Sequence, residues 1–151
     1  MNQHKTTTYR GVVFPGQCDA MGHMNVQHYI AAFDQAMWHL VAELGYRASW
    51  AADRQQGWAD VRYLVNYRRE LRAGVLFHVS SAAQNVGRTS LTTFHELVNS
   101  ESGEIAADLE MKSVYFDLGS RTAIAIPEQI RSAVVARGGI SATSSASAQS
   151  G

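Results

Sequence analysis

The sequence has one cysteine, Cys18, and two prolines among 151 residues. A single cysteine excludes an internal disulfide and a zinc site built from cysteines. No apolar run approaches the ~20 residues of a membrane span. The opening residues Met1 to Tyr9 are polar, so no secretory hydrophobic segment is expected. Neither sign of charge dominates: 13 Lys+Arg stand against 13 Asp+Glu, a formal net charge of zero. A general nucleic-acid binder draws its affinity from neutralising phosphates, so that class is excluded. The expectation is a cytoplasmic globular protein with neither nucleic acid nor membrane as partner.

What is present suits one domain with a substantial core, since 46% of the chain is apolar. The stretch Gly138 to Gly151 (GGISATSSASAQSG) is uncharged and without period. It cannot bury enough apolar surface to offset ordering, so the expected division is a domain over 1–137 and a disordered tail over 138–151.

Residues 7–14 read as a strand that Pro15-Gly16 stops. From Val26 the period changes. Val26, Ile30, Phe33, Met37, Leu40 or Val41, and Leu44 recur at spacings of three and four. Asn25 is the candidate N-cap and Gly45 the stop, which predicts a helix of roughly 19 residues, ~28 Å long and largely buried. After Trp58 the period becomes two. Asp60 to Glu70, Val75 to Gln84, Arg88 to Val98 and Glu104 to Phe116 read as long strands joined by short turns, an antiparallel meander. Pro127 opens a short last helix. The fold class is therefore α+β, with a five-stranded antiparallel sheet curled around one long central helix.

Polar groups able to do chemistry gather just before that helix: Cys18, Asp19, His23 and Asn25. A helix start offers unpaired N–H groups and partial positive charge, which can polarise a carbonyl. A carboxylate on the approach loop can then act as general base or nucleophile. The same residues can equally do no more than satisfy turn and helix-end N–H groups. Cys18 is a weak nucleophile candidate, because the adjacent Asp19 raises a thiol's pKa. His78 and His95, on strands, read as surface or packing residues, and no spacing marks a metal site.

The run Asp19-Ala20-Met21-Gly22-His23-Met24-Asn25-Val26-Gln27-His28-Tyr29 resembles the D-x-x-G-H-x-N-x-x-x-Y signature of hot-dog-fold thioesterases. That group includes 4-hydroxybenzoyl-CoA and acyl-ACP thioesterases. The resemblance continues through Tyr63 to Leu71 and Gly87 to Ser90, and covers about residues 7–135. It implies acyl-CoA thioester hydrolysis with Asp19 as base or nucleophile. It implies that backbone N–H groups near Asn25 and Val26 polarise the carbonyl, and it assigns His23 a catalytic part. Met21 stands where the acyl-ACP enzymes carry a catalytic Asn, which points away from that branch. Asp34 and Glu43, on the helix, do not match the family's alternative catalytic Glu.

For CoA, whose phosphates suit the forked guanidinium, the resemblance ranks Arg88 with Thr89 and Ser90 first, because the family lays pantetheine along that strand. Arg69 comes second. Trp58 and Tyr63 are candidates for the acyl pocket; an aromatic cage would suit a quaternary ammonium group. The segment Gly22 to Leu40 also resembles thioesterase-like proteins of carnitine and betaine breakdown. Aryl, short aliphatic and betainyl acyl groups are therefore all candidates. No cofactor is expected beyond the CoA of the substrate, and the resemblance implies a homodimer or a dimer of dimers. The rivals are a hot-dog enoyl-CoA hydratase and a non-catalytic acyl-CoA-binding module.

Overall fold

The structure, a computed structural model, describes residues 3–141. Strand β1 (Thr6–Val12) leads through a 3-10 turn (Pro15–Gln17) to helix α1 (Val26–Glu43) and the short helix α2 (Trp50–Asp53). Four long strands follow: β2 (Gln56–Tyr67), β3 (Leu76–Val86), β4 (Ser90–Asn99) and β5 (Ile105–Asp117). The two-residue strand β6 (Thr122–Ala123), helix α3 (Glu128–Ala136) and strand β7 (Ile140–Ser141) complete the order.

The long strands lie in the order β1-β3-β4-β5-β2, all antiparallel. Strands β3 to β5 form the expected meander, but β2 does not join it as expected. It pairs with β5 and sits at the sheet edge. The connection after β2 does not close a hairpin. Leu71, in that connection, is 1% exposed in the core, and its carbonyl accepts from the Met24 N–H. Burying Leu71 draws the chain across to the loop before α1 instead of straight back along β2.

Asn25 caps α1 as expected: its side chain accepts from the Gln27 N–H, and Gly45 follows at φ +113°. Tyr29, Ala32, Phe33, Ala36, Met37, Leu40 and Val41 are buried on one side of the helix. Each such side chain contributes about 1.5–3 kcal/mol through apolar burial. The burial is one-sided and not general. Val26 is 55% exposed and Trp38 48% exposed, because each lies off the stripe that meets the sheet.

The alternation read along β2 holds for Tyr63 and Val65, which pack against the core. It fails at Val61, which is 57% exposed. A bulge between Asp60 and Arg62 shifts the pairing with β5 there. A polar knot lies under the helix: Ser81 and Thr93 hydrogen-bond the two ring nitrogens of His95, and His95 lies against Phe33. The residues read as the start of a tail behave otherwise at their near end. Ile140 and Ser141 pair in parallel with Asn85 and Val86 of β3, so sheet pairing extends past residue 137. The rest of the expected tail, 142–151, lies outside the described residues.

Candidate active site

The loop before α1 is held from both sides. The Asn25 N–H donates to the Gln17 carbonyl, and Cys18 pairs with Met24 as an isolated bridge. Within it, Asp19 to Gly22 form a tight turn. The Gly22 N–H donates to the Asp19 carbonyl at 3.0 Å, and the Asp19 N–H to the His23 carbonyl at 2.9 Å. Gly22 lies at φ +86°, in the left-handed region that glycine adopts without cost. The Met21 N–H donates to Asp19 Oδ1 at 2.9 Å. One carboxylate oxygen is thereby anchored, and the other makes no hydrogen bond among the described residues.

His23 pairs with Arg72 as a bridge, which ties this turn to the connection after β2. That connection brings a residue the sequence did not single out. Glu70 Oε2 lies 3.0 Å from His23 Nε2. Two tyrosines close the same region: Tyr29 and Tyr67 meet edge to face, with ring centroids 5.3 Å apart. The Tyr29 hydroxyl donates to the Arg69 carbonyl at 3.4 Å. Burial, reinforced by Tyr67 and Glu70, raises its pKa to about 12, so it stays protonated at neutral pH.

Asp19, His23, Val26, Tyr29, Tyr67, Arg69 and Glu70 all line one cavity of about 560 Å³, a size typical of small-molecule sites. The first N–H groups of a helix have no intrahelical acceptor. Here the Gln27 N–H is taken by Asn25 Oδ1, and no bond from the Val26 N–H is present among the described residues. Asn25 thus builds the helix end, while Val26, whose N–H makes no hydrogen bond among the described residues, lines the cavity. Arg69 Nε lies 3.1 Å from Glu104 at the rim.

The other proposed binding residues lie elsewhere in the chain. Arg88 and Thr89 sit in the β3–β4 turn and Ser90 opens β4. The carbonyls of Arg88 and Thr89 accept from the Ile126 and Tyr115 N–H groups, and Arg131 on α3 donates to the Gly87 carbonyl. None of the three lines the Asp19 cavity. Trp58 packs edge to face on Tyr115 and Tyr46, and the Tyr63 hydroxyl donates to Asp60 at 2.6 Å; neither lines it. Glu70 carries no local signal in the sequence except its place in the charged run Arg68-Arg69-Glu70. Its meeting with His23 depends on the return of the chain through Leu71. Among the described residues no cluster of three metal-ligating side chains occurs, and no helix is long and apolar enough to cross a membrane.

Comparison with known proteins places this geometry. None of the curated proteins compared matches the chain. Solved structures resemble it closely in fold at low identity. The hypothetical protein SAV2348 from Staphylococcus aureus, in complex with CoA, superposes with a TM-score of 0.82 at 19% identity, over 91% of this chain and 85% of that one. Slr0204, a 1,4-dihydroxy-2-naphthoyl-CoA thioesterase from Synechocystis, gives 0.76 at 14% identity, over 87% and 96%. The gentisyl-coenzyme A thioesterase BH1999 gives 0.74 at 22% identity, over 83% and 98%. The family model of the thioesterase-like superfamily matches residues 13–134. That match spans most of the chain and includes the Asp19 turn, the start of α1 and the Glu70 connection, so this protein belongs to the thioesterase-like superfamily, as a thioester hydrolase of the hot-dog fold.

Proposed function

We propose that the protein hydrolyses an acyl-CoA thioester to the acid and free CoA in the Asp19 cavity. The observation that carries this reading is the meeting of Asp19, the open Val26 N–H and the His23–Glu70 pair around one space. The thioester carbonyl oxygen accepts from the Val26 N–H, which faces the charge that develops on it. Asp19, anchored through Oδ1, acts through Oδ2 as base toward water or as nucleophile on the carbonyl carbon. In the base route, water oxygen bonds to carbon and Asp19 takes its proton. The tetrahedral intermediate then expels the CoA thiolate, which takes a proton from His23. Glu70 holds the imidazole in place for that transfer.

Arg69 at the rim suits the CoA phosphates. We read α1 as the helix around which the sheet curls, and the protein as a cytoplasmic homodimer or dimer of dimers. The free edge of β2 supports pairing with a second copy: Val61 and Leu64 on it are more than half exposed. In this reading, Arg88, Thr89 and Ser90 serve a substrate only across such an assembly. Aryl, short aliphatic and betainyl acyl groups remain the classes to assay.

The test is thiol release from a panel of acyl-CoAs by the wild type and Asp19→Asn. Asparagine keeps the Oδ1 acceptor for Met21, so the fold is expected to stand while kcat falls by about 10²–10⁴. Unchanged kcat would remove Asp19 from the chemistry. Retained CoA binding without turnover in the wild type would make the protein a binding module.

A further inference from the structure

A second, smaller cleft lies between α1 and the first half of β2. It is lined by Asp34, Met37, Trp38 and Val41 from the helix and by Trp58 and Asp60 from the strand. Two indoles and two carboxylates therefore face one space. Asp60 is already held: the Tyr63 hydroxyl donates to one of its oxygens at 2.6 Å, and the Ser113 hydroxyl to the other at 2.7 Å. No hydrogen bond or ion pair to Asp34 is present among the described residues. Partial burial, and then the charge of Asp60, raise the Asp34 pKa.

Among the described residues no Lys, Arg or His makes an ion pair with Asp34 or Asp60. Arg62, the basic residue nearest in sequence on β2, is spent on Glu110 at 2.8 Å. Arg54 lies over the Trp50 ring. Like charges that meet in a cleft without a counter-ion disfavour the folded state. Indole faces attract cations, most strongly where water is partly excluded. The Trp58 indole nitrogen is buried without a hydrogen-bond partner among the described residues.

We propose that this cleft recognises a positively charged nitrogen at the far end of the acyl group, with Asp34 as the specificity-determining residue and Trp38 and Trp58 as its walls. The inference rests on the thioesterase reading for the position of the thioester. The volume of about 30 Å³ suits one small head group better than an aryl ring. Asp34 lies eight residues beyond Val26 on the same helix, about 12 Å along its axis. An extended chain of about eight to ten carbons is needed to span that distance, whereas a betainyl group, with its nitrogen one carbon from the carbonyl, does not reach. The class is thus an ω-ammonium acyl thioester.

The experiment compares kcat/KM for 8-aminooctanoyl-CoA and 10-aminodecanoyl-CoA with that for their neutral isosteres nonanoyl-CoA and undecanoyl-CoA. The wild type is expected to prefer an ammonium substrate over its isostere by roughly tenfold or more. Asp34→Asn is expected to bring the ratio near one. Asp34 is exposed and unbonded, so this substitution leaves the fold intact; far-ultraviolet circular dichroism checks that. A wild-type ratio near one, or a ratio that Asp34→Asn does not change, overturns the proposal. A second readout does not need turnover: tryptophan fluorescence titrated with free 6-aminohexanoate. Saturable binding that Asp34→Asn abolishes, in a protein that hydrolyses no acyl-CoA, supports the cleft and overturns the thioesterase reading. Loss of both signals overturns the cleft.

Discussion

His23 Nε2 lies 3.0 Å from Glu70 Oε2, joining the turn before α1 to the connection after β2. The pair is built by backbone as much as by charge. His23 bridges Arg72, and the Met24 N–H donates to the Leu71 carbonyl. The imidazole is thus delivered to the cavity by two strand-like contacts and oriented by a carboxylate.

Glu70 is 70% exposed at its side chain, so Glu70→Gln is expected to leave the melting temperature within about 1–2 °C. Its kcat is expected to fall about tenfold, because the ring loses its orienting partner while keeping its own chemistry. His23→Ala is expected to cost more than Glu70→Gln. The split between kcat and KM separates positioning from structure: kcat should fall in Glu70→Gln at unchanged KM, and an unmoved kcat would make the pair merely structural.

Gly22→Ala tests the turn that aims Asp19. Nothing lies within 4 Å of an added Cβ at Gly22, so the cost is conformational and not steric. The φ of +86° is expected to cost about 1–2 kcal/mol in alanine. Gly22→Asn, which tolerates that region better, is expected to recover part of both stability and activity. Thermal melts and kcat on both variants make the comparison.

Asn25→Ala removes the side-chain acceptor for the Gln27 N–H. A lost N-cap costs about 1 kcal/mol, a fall of roughly 2–4 °C in melting temperature for a chain of this size. Catalysis should suffer beyond that, since fraying of the first turn displaces the Val26 donor. Asn25→Ser, which caps equally well, is expected to restore both.

His95 supplies a pH test of the core. Burial lowers its pKa to about 3, below the ordinary imidazole value of about 6.5. The unfolded chain therefore takes up a proton below about pH 6.5 that the folded chain refuses until about pH 3. Stability from this group is whole above pH 6.5 and falls by up to about 1.4 kcal/mol per pH unit below it. Chemical denaturation at pH 7 and pH 5 should show that loss. His95→Gln, less stable at pH 7, should show a shallower dependence.

Much of the architecture was legible in local pattern. The three-and-four spacing from Val26, the capping Asn25 and the stopping Gly45 place α1 within a residue or two of its observed bounds. Period two and turn residues locate all five long strands. The pairing of β2 with β5 was not legible, because alternation says that a residue faces a core and not which strand lies beside it. The bulge at Val61 and the burial of Leu71 are likewise outcomes of packing.

The candidate site divides the same way. Asp19, His23, Asn25 and Val26 are close in sequence, so a turn and a helix start suffice to assemble them, and the motif shows them together. Glu70, Tyr67 and Arg69 reach the same cavity only through the return of the chain after β2. Asp34 and Asp60 meet only because α1 lies across the sheet. Period, caps and turns are set by interactions within a few residues, so the sequence by itself determines the elements and the Asp19 turn. Which distant side chains share a cavity depends on how those elements bury their apolar faces against one another, and only the tertiary structure decided that.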